Sequence, residues 1–132
     1  MAKNLFVSAI CAGIAAGLLA SVLQFTFVIP LLLEGELYET GARVHFGADG
    51  SPQSDRGAPS LGGDWARHSM TVAFNIVTYT GYGLLLAAMI SFAALKGITT
   101  SARQGLIWGL CGYIAVQLAP AFGLPPELPG TI

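Results

Sequence analysis

The stretch LFVSAICAGIAAGLLASVLQFTFVIPLLL, Leu5 to Leu33, holds no charged side chain and is broken only by Gln24 and Pro30. Crossing a bilayer takes roughly 20 apolar residues at about 1.5 Å of rise each, so the stretch can cross with some tilt. Lys3 precedes it, as a lysine precedes the core of a secretory signal. A signal core runs to only about 7–15 residues, however, so this segment reads as a retained transmembrane helix. That reading decides the fold class.

Two more apolar runs follow, Ser69–Leu95 and Leu106–Phe122. The third lies near the lower limit of about 17 residues for a span. The composition agrees: 10% of the 132 residues are charged and 54% are hydrophobic, and the mean hydropathy is +0.67. Soluble domains carry about 25% charged residues, and this chain has too few to clothe a water-facing surface. The expectation is an all-α integral membrane protein of one domain, residues 1–132. It has a helix over about 5–33, an irregular outer loop over 34–68, helices over about 69–95 and 106–122, and a Pro/Gly-rich end over 123–132. The loop core, GADGSPQSDRGAPSLGGD from Gly47 to Asp64, has no apolar period and predicts irregular backbone.

The net charge of −1, with no basic stripe, phosphate loop or zinc-type Cys/His spacing, excludes nucleic acid as a partner. Cys11 and Cys111 lie in apolar runs, which suits small packing residues better than a disulfide; a pair facing each other is the alternative. Lys3, Lys96 and Arg103 flank the helices on one side. Arg43, Arg56 and Arg67 lie on the other, diluted by acids. Short flanks decide orientation, which puts the N-terminus in the cytoplasm of a bacterium with the chain in its inner membrane. Tyr38 and Trp65 then mark the outer interface and Trp108 the inner one.

Small residues recur at every fourth position: Ala9, Gly13, Gly17 and Ser21 in the first helix, Gly83, Ala87 and Ser91 in the second, Gly105 and Gly109 in the third. Lipid offers helices no hydrophobic reason to associate, so close backbone approach at small residues supplies it. All three helices are expected to pack through these faces, with each other or with partner helices.

Polar groups inside apolar runs need partners. Gln24, Thr26, Asn75, Thr78, Thr80 and Gln117 are such groups. With the first and third helices running outward and the second inward, Gln24, Asn75 and Gln117 fall roughly 5–10 Å outside the midplane. Two readings stand for this layer with Thr78: hydrogen-bonded glue between helices, or a polar path. Above it, Glu34, Glu36, His45, His68 and Glu127 form an outer set of carboxylates and imidazoles, a chemistry that suits a divalent transition ion, although no pair has strong ligand spacing. Each is otherwise a solvated loop group. No nucleophile–base pair and no paired intramembrane carboxylates are present, so no enzyme is expected.

The segment LAPAFGLPPELPG, Leu118 to Gly130, ends the third run. Pro120 is expected to kink or stop that helix, and Pro125 and Pro126 to forbid more of it, holding Glu127 at a set place on the outer side. Together with LQFTFVIPLLLEGELYE (Leu23–Glu39), GDW before FNIVTYTGYGLLL, and GLIWGLCGYIAVQLAPAFGLPPELPG (Gly105–Gly130), it resembles the CbtA-type predicted cobalt transporter subunits over nearly the whole chain. The resemblance implies a small membrane protein of five helices that moves cobalt with a one-helix, His-containing CbtB-type partner. It also implies two further helices beyond Ile132. The motif positions it carries over are Gln24, Pro30, Glu34, Glu36, Tyr38, Asn75 and Pro120 to Gly130. Many members have a His-rich first outer loop, whereas this one holds only His45 and His68. Two functions are therefore expected as alternatives. One is a transport subunit passing cobalt or a similar divalent ion from the acidic rim along the polar layer, with no firmly bound cofactor. The other is a non-transport accessory subunit of a larger membrane complex.

Overall fold

A computed structural model describes residues 2–52, 57–125 and 127–130. Three helices are long and apolar enough to cross a membrane: α1 (Ala2–Glu39), α2 (Trp65–Leu95) and α3 (Ala102–Gly123). Their order puts the N-terminus and the α2–α3 turn on one side, with the α1–α2 loop and the chain after α3 on the other. Arg56, counted above for orientation, lies outside the described residues, as do Pro126 and Ile132.

α1 and α2 form an antiparallel pair held by backbone contact at glycine. A Cβ built on Gly13 would lie 2.4 Å from Thr80 Cα, one on Gly17 2.7 Å from Ile76 Cα, and one on Gly83 2.8 Å from the Ala9 carbonyl oxygen. No real side chain fits those distances, so the two backbones meet only because these positions lack one. Ala9, Gly13, Gly17 and Ser21, the first expected stripe, are all buried on this seam. Ala87 is half-buried, and its carbonyl accepts the Ser91 hydroxyl at 2.8 Å.

Each helix differs from its expected bounds for a local reason. α1 runs on to Glu39 instead of stopping near Leu33, through Pro30. A proline has no N–H and its ring crowds the carbonyl four residues back. Here the turn before it, Gln24–Val28, widens to a π-turn in which the Ile29 N–H reaches the Gln24 carbonyl. The same device precedes Pro120, where Ile114–Leu118 is a π-turn closed by the Ala119 N–H on the Ile114 carbonyl. Pro120 thus lets α3 run on to Gly123 instead of ending it. α2 begins at Trp65, ahead of the expected Ser69, because the Asp64 carboxylate accepts the Arg67 N–H at 3.0 Å and caps the helix. α3 begins at Ala102 on a capping box of Ser101 and Gln104.

The small faces of α1 and α2 meet each other, while that of α3 meets no other helix among the described residues. α3 stands off the pair: Gly105 and Gly109 have nothing within 4 Å of a built Cβ, and none of its spanning window is buried. The cause is that the small faces of α1 and α2 are spent on each other, leaving α3 no opposing seat. Only the chain following α3 returns to α1. The loop between α1 and α2 contains one isolated bridge among the described residues, Phe46 to Pro52, around a turn closed by Gly50 N–H on the Gly47 carbonyl at 2.9 Å.

Replacing Gly17 by Val must push α1 and α2 apart and is expected to cost about 3 kcal/mol or more, the upper end for overpacked contacts. Gly109→Val meets open space and should stay within about 0.5 kcal/mol. Unfolding of the purified protein from mild-detergent micelles by increasing SDS measures both.

Candidate functional site

Of the four residues expected in the polar layer, two are hydrogen-bonded to each other. Asn75 Nδ2 donates to Gln24 Oε1 at 2.6 Å and to Ser21 Oγ at 3.1 Å. The Ser21 hydroxyl in turn donates to the Gly17 carbonyl at 2.8 Å. The layer exists because Gly17 lets the helices approach within reach of short amide side chains. Ser21 thus belongs to the layer as well as to the packing stripe; its place three residues before Gln24, on one helix face, is the sequence signal for that. Asn75 Oδ1 has no protein donor among the described residues. Thr78 and Gln117 are exposed and do not join. Thr26 is satisfied locally, its hydroxyl donating to the Val22 carbonyl at 2.7 Å. The Thr80 hydroxyl, on the residue pressed against Gly13, is buried without a partner among the described residues.

At the C-terminal end of α1, Glu34 and Glu36 turn to different arginines. Because α1 stays helical there, residues two apart cannot share a face. Glu34 Oε1 lies 3.1 Å from Arg43 Nη1, and Arg43 Nη2 also donates to the Gly57 carbonyl at 2.9 Å. Glu36 takes a fork of two N–H groups from Arg67, one of them at 3.1 Å. The Glu34 pair is 17% and 22% exposed for the arginine and glutamate side chains; the Glu36 pair is 38% and 40% exposed. The second pair is thus the more exposed of the two. In the sequence both arginines read only as orientation charges. The Arg67 contact spans 31 positions and follows from the antiparallel seam, which sequence spacing does not display.

The two histidines occupy separate places. His45 stacks on Tyr38, with ring centroids 4.2 Å apart and 4° between planes, and its Nε2 lies 2.9 Å from the Pro129 carbonyl oxygen. His68 Nε2 lies 3.3 Å from the Gly62 carbonyl, and its ring meets Phe25 edge-on at 5.4 Å. His68 Nδ1 is buried with no partner among the described residues. Phe25, Leu61, Trp65, His68 and Val72 line a shallow apolar pocket at this end. Glu127 is exposed. Asp49, in the loop, is tied to Ser51, whose hydroxyl and N–H hold its carboxyl below the usual range. Among the described residues no three His, Cys, Asp or Glu side chains come together to hold a metal. Cys11 and Cys111 are free and exposed.

The Pro/Gly-rich end forms a strap over the rim. A Cβ on Gly35 would lie 3.5 Å from Pro129 Cγ, and one on Gly130 would lie 2.5 Å from the Tyr38 carbonyl oxygen. Gly130 has φ +77°, so both its conformation and its close approach demand glycine. The seat joins the C-terminal end of α1 to the chain leaving α3.

The chain matches, over residues 2–132, the family model described as CbtA, "Probable cobalt transporter subunit". No curated protein matches it, and no solved structure does.

Asn75→Ala removes the donor of the polar layer and should cost about 1 kcal/mol, in the range of interhelical hydrogen bonds in membranes. Thr78→Ala should change nothing measurable. The SDS titration used for the glycine variants separates the two.

Proposed function

The chain belongs to the CbtA family of probable cobalt transporter subunits, and from that premise we propose that it supplies part of a membrane route for cobalt or a similar divalent cation. The ion enters at the outer rim, where Glu36 exchanges the Arg67 guanidinium for the dication. It then passes the Gln24–Asn75 layer, where Asn75 Oδ1 offers a carbonyl oxygen. In this reading the chain lies in a bacterial inner membrane with its N-terminus in the cytoplasm. The observation that carries the proposal is that the reachable carboxylate, Glu36, and the one amide of the layer with a spare acceptor, Asn75, lie on the same α1–α2 seam.

The seam does not complete the route. Along α1, Glu36 and Gln24 are separated by about 18 Å of helix rise, and Ile29 is buried between them. Other helices must line the remainder, as the description of the family as a subunit implies. α3 offers the surface for this: a Cβ on Gly105 or Gly109 would meet open space, and the Gln117 carboxamide is exposed on a spanning helix. A polar side chain is costly against lipid, so a partner helix on this face is part of the proposal, a small His-bearing helix of CbtB type being the candidate implied by the resemblance.

Uptake of radiolabelled cobalt by cells tests the transport reading. Glu36→Gln and Asn75→Ala should each lower the initial rate several-fold at unchanged protein level. Unchanged uptake in a strain lacking the whole gene would end it. The uncovered α3 face also favours the second reading, an accessory subunit of a larger complex. Purification in gentle detergent decides between them: stoichiometric recovery with subunits of an unrelated membrane enzyme supports the accessory role.

A further inference from the structure

We infer that His45 is a metal-ligating imidazole whose tautomer and ring plane are set by the docked strap, an inference that rests on the divalent-ion reading above. A carbonyl oxygen only accepts hydrogen bonds, so the 2.9 Å contact between His45 Nε2 and the Pro129 oxygen requires the proton on Nε2. A neutral ring then carries its lone pair on Nδ1. That nitrogen has no protein partner among the described residues and is not among the buried unpartnered atoms, so it reaches solvent. The Tyr38 ring, parallel within 4°, fixes the imidazole plane.

This is the arrangement in which metal-binding histidines are ordinarily held: one ring N–H anchored on a backbone carbonyl or carboxylate, the other nitrogen free and more basic for it. His68 provides the contrast within the same molecule. Its Nε2 also faces a carbonyl, Gly62, but its Nδ1 is buried and no ion can approach it. Of the two imidazoles in the chain, only His45 presents a lone pair outward.

The ligand class follows from the donor. A single neutral imidazole with water completing the shell suits first-row divalent ions such as Co²⁺ and Ni²⁺ over Mg²⁺ or Ca²⁺. One protein ligand binds weakly and exchanges fast, which fits capture and release at an entrance. Pro129 and Gly130 thereby act as positioning residues, since they touch the imidazole or its support and never the ion.

The test is NMR of the full chain in lipid nanodiscs, with ¹⁵N-labelled histidine, titrated with Co²⁺ alone. His45 should show the Nε2–H tautomer, and its signals should broaden at lower Co²⁺ than those of His68. Gly130→Val unseats the strap, because its Cβ would meet the Tyr38 carbonyl. It should mix the His45 tautomers and raise the Co²⁺ needed by about tenfold, the low end for losing such an anchor. Tyr38→Ala, which removes the stack, should act in the same direction, and circular dichroism confirms that each variant keeps its helices. An Nδ1–H tautomer in the parent, His68 broadening first, or an unchanged Co²⁺ response in both variants overturns the inference. The outcome is separable from the transport reading. A His45 response as described with normal cobalt uptake in the gene-deleted strain refutes transport alone. Impaired uptake with no preference for His45 refutes this inference alone.

Discussion

Contact between two helix backbones, made where Gly13, Gly17 and Gly83 have no side chain, is the constraint on which the rest of this structure depends. In lipid the gain from association comes from packing, not from expelling water, and packing falls away steeply with separation. Glycine brings the axes close enough for short side chains to bridge them. Asn75 reaches both Gln24 and Ser21 only because Gly17 lies against Ile76 one turn away. The register set there also carries outward, placing Arg67 opposite Glu36.

The prolines act on the same helices by a different route. Pro30 and Pro120 each follow a π-turn that absorbs the missing hydrogen bond, so α1 and α3 pass through them. π-turns leave local backbone carbonyls less fully bonded and shift the helix face by part of a turn. In α1 this happens at Gln24, the member of the amide layer whose own carbonyl closes the wider ring. Continuation past Pro30 then adds the rim, the length of α1 on which Glu34, Glu36 and Tyr38 stand. At about 57 Å by helix rise, α1 exceeds a hydrocarbon core of about 30 Å. Its acids therefore stand above the core, where the strap and the loop can reach them.

What the sequence disclosed follows from the range of each interaction. Apolar runs and the four-residue spacing of Gly13 and Gly17 are local, so three spanning helices and the α1 seam were legible from them. The glycine pattern in α3 is just as clear, yet Gly105 and Gly109 meet nothing. A stripe states that a helix can be approached closely, and not by what. Gln24 and Asn75 were legible as a layer because depth follows from helix rise; Gln117 has comparable depth but sits on a helix that stands off. Arg67 was illegible as a partner because its contact with Glu36 crosses the loop. The strap was visible as stiff backbone, while its seat on His45 joins positions 84 apart in the chain, which no local spacing encodes.

The pairing at the rim bears on the acidic entrance proposed above. Unpartnered carboxylates would make a strong field, whereas Glu34 is paired with Arg43 and Glu36 with Arg67. On the transport reading proposed above, a dication arriving there would meet these two carboxylates already paired, and would bind by exchange, not by addition. Exchange favours the pair that is more exposed and less cross-linked. Arg43 is anchored a second time on Gly57, so releasing Glu34 would also undo the loop. Arg67 binds Glu36 with its whole fork and can swing into solvent when displaced, because its backbone stays capped by Asp64. The two acids, two residues apart in one helix, thereby take different roles. Glu34 holds the loop to the helix, and Glu36 is the carboxylate that can trade partners. In the proposed transport reading, such a rim would select for an ion whose charge and ligand preference together exceed those of a guanidinium.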